Sequence, residues 1–451
     1  MTVPASLFVD TGTGSVQRCA ACGATIGELD AAPACPTCEG LLEIVHQRPR
    51  DAGGAATDAD ALRTGFAQHC CARPLGSASG VWRFQSVVMP NAGAAIVSHP
   101  EGNTPLLSRA VIDRYVGFEG LFIKHEGHNP TGSFKDRGMT VGVTQAVRIG
   151  ATAVACASTG NTSAALAAYA AQAGIPGLVF VPHGKVAIGK LAQALGYGAR
   201  TLVVRGDFDD CLRLVKDATR ELGIYLLNSI NPWRVEGQKT IVLELLQQLK
   251  WRAPDFIVFP AGNLGNTAAF GKALREAKAL GLIDRMPRLV AVQAAGAAPF
   301  ARGFREGFAM RHRVAADTIA TAIRIGDPAS WDRGVRAIRE TDGMVLACTD
   351  DAIIDAKLVI DAAGVGCEAA SAASIAGVRQ LVQEGVIAPG HRAVAVLTGH
   401  ILKDPGMLVE LHQHSNVALA NRPIEIDADV RDVARVLKRM SNDAALGESA
   451  P

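Results

Sequence analysis

Aromatic side chains are scarce, 5% of 451 residues against 49% hydrophobic residues overall, and formal charge is only +2. Without an arginine–aromatic strip or a basic excess, nucleic acid is not expected as a partner. Long apolar runs are missing as well. Stretches such as residues 256–260 and 393–398 are far too short to cross a bilayer and are bounded by turn residues, which predicts buried strands and no membrane partner. Met1 is not followed by a charged segment and an apolar core, and the ten cysteines lack the even spacing of a small secreted framework. A reducing, cytoplasmic setting is the expectation. No fixed-period repeat or low-complexity tract is seen.

What remains is an alanine- and valine-rich chain in which short β-branched runs alternate with alanine-rich helical patterns, the mark of βα units around a mostly parallel sheet. Residues 151–157 then 163–173, 178–182 then 188–195, 201–205 then 211–222, and 256–260 then 267–280 read as strand and helix in turn. The expected organisation is a cysteine-bearing segment at 1–48, a linker and lead-in at 49–100, an α/β core at 101–414 with a smaller subdomain inserted at about 140–235, and a tail at 415–451. The tail carries one amphipathic helix candidate at 430–440.

The stretch His128-Asn129-Pro130-Thr131-Gly132-Ser133-Phe134-Lys135-Asp136-Arg137-Gly138 presents one lysine in a setting for amine chemistry. Pro130 and Gly132 fix a turn, after which Ser133 can cap the helix that Lys135 enters, so the amine rides on a rigid element. Such a lysine can be desolvated and used as a nucleophile. Taken alone, Lys135 also reads as a solvated residue beside Asp136 and Arg137.

Four further segments carry chemistry. The run at 151–157 leads into Ser158-Thr159-Gly160-Asn161-Thr162-Ser163, where small hydroxyl residues and free amides at a helix start suit a carboxylate, or make an ordinary N-cap. Gly262-Asn263-Leu264-Gly265-Asn266 follows 256–260 and places two glycines where backbone comes close to something; its amides can cradle a phosphate, although a glycine pair also ends strands routinely. Residues 393–398 end in Thr398-Gly399, a hydroxyl residue and a glycine at the close of an expected strand. In the segment at 228–240, the Arg234 fork with Asn228 and Ser229 suits phosphate; the plain alternative is a surface loop in which Arg234 pairs with Glu236.

Cys19-Ala20-Ala21-Cys22 and Cys35-Pro36-Thr37-Cys38 are two C-x2-C knuckles with twelve residues, 23–34, between them. Four such thiolates suit a tetrahedral, structural Zn²⁺; unliganded thiols or a redox pair are the alternatives. Cys70, Cys71, Cys156, Cys211, Cys348 and Cys367 read as small apolar residues.

Together these motifs resemble the pyridoxal-phosphate enzymes of the tryptophan-synthase β-subunit fold, fold type II, and their threonine synthase branch in particular, from about residue 101 to 405. The resemblance implies a two-domain α/β fold of mostly parallel, twisted sheets flanked by helices, preceded by a zinc-ribbon-like segment. It further implies that Lys135 forms the imine with the cofactor aldehyde, with Phe134 beside it. Asn161 is then expected at the pyridine 3′-oxygen, Thr398 at the ring nitrogen, and Gly262, Asn263, Leu264, Gly265 and Asn266 around the cofactor phosphate. Thr159 and Thr162 are expected at the substrate carboxylate side, and Ser158, Asn228, Ser229 and Arg234, with Asn263, near a substrate phosphate. The implied reaction converts O-phospho-L-homoserine and water to L-threonine and phosphate by β,γ-elimination and replacement, in an enzyme family where homodimers are common. Ala369 stands where the family shows proline and Ile401 where it shows glycine; with His125 and His128 these leave open a relative acting on another hydroxy or O-phospho amino acid, such as a serine/threonine dehydratase or a cysteate/cysteine synthase. A zinc-ribbon binding module with a degenerate enzyme domain is the reading from another class.

Overall fold

Apolar runs without polar alternation become strands covered on both faces. Ala153–Ala157, Phe256–Pro260 and Ala393–Leu397 are buried at every position, as the central strands of parallel sheets flanked by helices must be. The structure is a computed structural model that describes residues 7–9, 14–51, 53–70, 78–183, 188–206, 208–413 and 419–447. Cys71 and the Cys211 side chain lie outside the described residues.

The larger sheet has six strands in the order Met344–Cys348, Arg288–Ala294, Phe256–Pro260, Ala393–Leu397, Leu121–His125 and Leu106–Leu107. All neighbours are parallel except the last pair, which is antiparallel. A second, parallel sheet of four strands runs Arg200–Val204, Gly177–Pro182, Ala153–Ala157 and Ile224–Leu226. Its chain departs after Leu121–His125 and returns before Phe256–Pro260. An antiparallel sheet of three strands, Thr25–Gly27, Ser15–Cys19 and Leu42–His46, stands at the amino-terminal side. The chain is thus α/β with two mostly parallel sheets, and the four cysteines sit with the small antiparallel one.

Helices start where local chemistry allows, a few residues from the expected places. The one expected from 163 is Asn161–Ala173, that from 211 is Phe208–Leu222, and that from 267 is Gly265–Ala279. The stretch expected as linker ends early because Asp58 accepts from the Ala61 amide at 2.7 Å and starts helix Ala59–His69. The 228–240 segment is not a surface loop. Pro232 opens helix Pro232–Gln248, capped by Asn231, whose side chain accepts from Trp233 and Arg234 amides, and the helix is buried through Leu246.

One buried ion cluster ties the layers around the lysine loop. Glu244, fully covered, meets Arg83 at 2.5 Å, Lys124 at 2.6 Å and Arg137 at 2.9 Å, and accepts from the Asn103 and Thr104 amides. Arg137 also meets Glu126 at 2.6 Å. Cys156, Cys348 and Cys367 are buried and Cys70 half-buried. Among the described residues no helix is long and apolar enough to cross a membrane.

The chain divides into two compact units, Met1–Asp404 and Pro405–Pro451. The second holds helices Pro405–Gln413 and Val430–Gly447. The latter includes the amphipathic 430–440 stretch and runs beyond it.

Candidate active site

Lys135 is the first residue of helix Lys135–Arg148, presented by a loop that the larger sheet holds from the side. Gly132 takes φ +84°, a value that favours glycine, and its carbonyl accepts from the His400 amide at 2.9 Å. Ser133 bridges to Gly399, and the Phe134 amide donates to the Thr398 carbonyl at 3.0 Å. Ser133 is not the cap. Phe134 occupies that position, and Ser133 Oγ accepts only a long 3.4 Å bond from the Lys135 amide.

Lys135 is half-buried, and the neighbours it would share a solvated surface with have partners of their own. Asp136 accepts from the Thr131 amide at 2.7 Å and from its hydroxyl at 2.5 Å, while Arg137 belongs to the Glu126–Glu244 cluster. Lys135 Nζ instead lies 4.4 Å from the Phe134 ring centre. Burial, with the Arg234 charge adding to it and Glu368 opposing, brings its ionisation down to about 7. The lowered value favours the unprotonated amine that a nucleophile needs.

The loop after Ala153–Ala157 supplies the second wall. Its helix starts at Asn161 from Gly160, with no side-chain cap, so the ordinary N-cap reading does not hold and the first amides keep their donors free of a capping side chain. Ser158 Oγ accepts from the Gly160 amide at 3.3 Å. Thr159, Asn161 and Thr162 are half-buried, and Asn161 Nδ2 donates to Glu368 Oε2 at 2.9 Å. Glu368 also accepts from the Thr398 hydroxyl at 3.4 Å, so one carboxyl group joins the Asn161 loop to the Thr398 strand end. Burial raises the Glu368 pKa against the Asn161 bond and the Lys403 and Lys135 charges.

In the third wall the expected close approach falls on one of the two glycines. A Cβ on Gly262 would meet Ile323 Cα at 2.9 Å, so that glycine serves packing against residues 321–325. Gly265 has only Gln238 Oε1 within reach, at 3.5 Å, and keeps its side of the loop open. The left-handed turn falls on Leu264 instead, φ +62°, a strained choice for a branched residue and one that concentrates at functional loops. Beyond it helix Gly265–Ala279 begins without a side-chain cap, and the Asn266 Oδ1 and Thr267 Oγ1 atoms are buried with no protein partner. Asn263 Nδ2 donates to Ser229 Oγ at 2.6 Å, and its Oδ1 accepts from the Ala329 amide at 2.6 Å.

Arg234 does not pair with Glu236. It is fully buried in the first turn of its helix, and Nη1 donates to the Leu227 carbonyl at 2.9 Å while Nε and Nη2 have no partner. Burial lowers its pKa to about 10, with Cys156 opposing. Asn228 Oδ1 accepts from the Ala157 amide at 3.0 Å, which ties this segment to the Asn161 loop. A buried guanidinium with two open donors, close enough to depress the lysine, is built for an anion.

Charge interactions thus join Lys135 to Arg234 and Glu368, and hydrogen bonds join Glu368 to Asn161 and Thr398, Asn228 to the end of the Ala153–Ala157 strand, and Ser229 to Asn263; among the described residues no side-chain bond ties Thr159, Thr162 or Asn266 to them. Missed by sequence reasoning were Glu368, Ser371, Thr267 and Lys403, although each lies within two residues of Ala369, Asn266 or Ile401, which were named. Their signal is contact across loops, which a linear pattern does not carry. Ala369 opens helix Ala369–Gln383 as proline would, and Ile401 packs on Gly366, so neither departure breaks the local backbone.

Away from this cleft, the ligand sulfurs of Cys19, Cys22, Cys35 and Cys38 all lie within 4.8 Å of one another, and among the described residues they are the one such cluster able to hold a metal ion. A Cβ on Gly40 would meet Cys19 Sγ at 2.9 Å. The same sheet reaches the core through His46, whose Nδ1 meets Ser15 Oγ at 2.8 Å and whose Nε2 meets Glu236 Oε2 at 2.7 Å. Glu236 further meets Lys239 at 2.5 Å and Lys272 at 2.7 Å.

Residues 97–399 match the family model for pyridoxal-phosphate dependent enzymes. The chain is 43% identical over 406 residues to the threonine synthase of Methanosarcina acetivorans, covering 90% of this chain and 96% of that one. With the threonine synthase of Methanocaldococcus jannaschii it shares 42% identity over 427 residues, 94% of this chain and 100% of the relative. The solved threonine synthase of Escherichia coli superposes with a TM-score of 0.66 at 18% identity, over 94% of this chain and 100% of that one, a likeness that speaks to the fold. The chain therefore belongs to the pyridoxal-phosphate dependent enzymes and, among them, to the threonine synthase family.

Proposed function

We propose that this protein converts O-phospho-L-homoserine and water to L-threonine and phosphate, with Lys135 as the catalytic amine. The observation that carries the reading is Arg234, a buried guanidinium whose Nε and Nη2 lack partners and whose charge reaches Lys135. A phosphorylated substrate supplies the anion that such a group needs. The identity of 43% to a threonine synthase over nine-tenths of the chain supports the same reaction.

The residues fit pyridoxal phosphate. The buried, unpartnered Asn266 Oδ1 and Thr267 Oγ1 sit at the start of a helix whose first amides can hold the cofactor phosphate, with Gly262, Asn263, Leu264 and Gly265 forming the approach. Asn161 and Phe134 are assigned to the ring and its 3′-oxygen, and Thr398 to the ring nitrogen. When bound, the cofactor supplies an aldehyde for amine capture and a ring that spreads negative charge.

Lys135 Nζ, its ionisation lowered by burial, takes the proton from substrate Cα and then from Cβ. Arg234 Nε and Nη2, with Ser158, Asn228, Ser229 and Asn263, bind the phosphate as it leaves Cγ, and they matter most where they follow its growing charge. Thr159, Thr162 and the first amides of their helix orient the substrate carboxylate. Lys135 then returns one proton at Cγ, water gives its hydroxyl to Cβ, a proton goes back to Cα, and the one left over leaves on the phosphate.

In this reading Cys19, Cys22, Cys35 and Cys38 hold a structural Zn²⁺, supported by four sulfurs in a closed cluster without an open position for substrate. A reducing cytoplasm would keep those thiols available. Phosphate release from O-phospho-L-homoserine, set against phosphate release from phosphoserine and oxo-acid formation from serine and threonine, tests the activity; no release from O-phospho-L-homoserine, or turnover of another amino acid alone, rejects it. Metal analysis with and without Cys35→Ser tests the zinc, and metal-free native protein rejects it.

A further inference from the structure

Ser371, in the first turn of helix Ala369–Gln383, is fully buried and makes three contacts at one oxygen. Its Oγ accepts from the Thr398 amide at 2.9 Å and from the Gly399 amide at 3.0 Å. A hydroxyl oxygen has two lone pairs, and these amides fill both. The third contact, to Thr398 Oγ1 at 3.0 Å, must then be the one in which Ser371 donates its hydrogen. Thr398 Oγ1 receives that bond and has its own hydrogen left to give.

We propose that Ser371 is a positioning residue that fixes the Thr398 hydroxyl as a hydrogen-bond donor toward the cofactor ring nitrogen. The inference rests on the assignment of Thr398 to that nitrogen and deepens it, because hydroxyl alone does not settle a direction. A threonine free to rotate can donate to the ring nitrogen or accept from it, and so tolerates either protonation state. One that already accepts from Ser371 is biased toward giving its hydrogen, and a ring nitrogen that accepts it is held without a proton.

Glu368 is the competing acceptor for the same hydrogen, at the longer distance of 3.4 Å. Its other oxygen is engaged by Asn161, and burial favours its neutral form, which accepts more weakly than a carboxylate. Ser371 therefore sets the direction, and Glu368 leaves the hydrogen available to a better acceptor in the cleft.

The test is a double-mutant cycle with holoenzyme carrying pyridoxal phosphate labelled with ¹⁵N at the ring nitrogen. Wild type, Ser371→Ala, Thr398→Ala and the double variant are compared by the ring ¹⁵N resonance and by kcat for phosphate release. Ser371→Ala is expected to move the resonance downfield, as for a pyridine that loses a hydrogen bond, and to lower kcat about three- to tenfold, the worth of one such bond. Neither change is expected where Thr398 is already alanine. A resonance unchanged in Ser371→Ala, or a change that persists in the Thr398→Ala background, overturns the inference and leaves Ser371 a support for two amides. Should Ser371→Ala fail to fold, Ser371→Cys, a weaker donor and acceptor at the same place, is read in the same cycle. Wild-type protein that takes up no labelled cofactor sinks the functional reading beneath, a result distinct from either of these.

Discussion

Replacing Arg234 by methionine should stabilise the cofactor-free protein while crippling the enzyme. The buried guanidinium ionises at about 10, against roughly 12.5 or more in water, and each pKa unit corresponds to about 1.36 kcal/mol. The folded apoprotein thus holds that charge at a cost of about 3 kcal/mol. Methionine removes the cost but deprives the Leu227 carbonyl of its donor, worth about 1 kcal/mol, so a net gain of about 2 kcal/mol is expected. Urea unfolding in phosphate-free buffer reads this as a higher midpoint. Inorganic phosphate should then raise the wild-type midpoint, by about 2.7 kcal/mol at a hundredfold excess over its dissociation constant, and leave Arg234→Met unmoved. Losing two charge-assisted bonds of about 1.5–3 kcal/mol each should cost about 10²- to 10⁴-fold in kcat/KM. A variant that unfolds earlier than wild type, together with equal phosphate stabilisation of both, would show that the guanidinium is already satisfied and refute the reasoning.

Lys135→Met should show a pH-dependent gain in apoprotein stability. The lysine ionises at about 7 when folded and at roughly 10.4 when unfolded, so unfolding takes up a proton between those values and wild-type stability rises with pH. The advantage of the variant is complete below pH 7 and gone near pH 10; an advantage constant across that range rejects the depressed lysine. Glu244→Gln should cost about 3–5 kcal/mol by leaving Arg83, Lys124 and Arg137 short of their shared carboxylate. Those cations outweigh burial and hold the Glu244 pKa well down, so its contribution is present above the unfolded value of about 4.3 and fades as acid protonates it. Denaturation midpoints that stay equally far apart at pH 3 and pH 7 would contradict this.

The strands were legible because burial on both faces erases polar alternation, as in Phe256–Pro260, found where the apolar run placed it. Local start signals were legible in part. Asp58 and Asn231 are capping residues in view, yet the first was read inside a linker and the second inside a loop, since a cap announces a helix only once the following face is known to be covered. The site motifs were readable as separate loops. Their joints were not: Glu368 between Asn161 and Thr398, or Ser371 beneath Thr398, depend on residues 27 to 207 positions apart meeting across loops. Leu264 shows the other limit, because glycine was the natural candidate for a left-handed turn and the neighbouring leucine takes it.

The contact between His46 and Glu236 has a practical corollary for anyone wishing to trim this protein to a minimal catalyst. Deleting the first 48 residues would strip a wholly enclosed carboxylate of one of its three partners and uncover the flank of the very helix that carries Arg234. The cysteine-bearing sheet is better viewed as a buttress of the anion-gripping helix than as a detachable accessory, and a shortened version should be judged by whether that helix still stands.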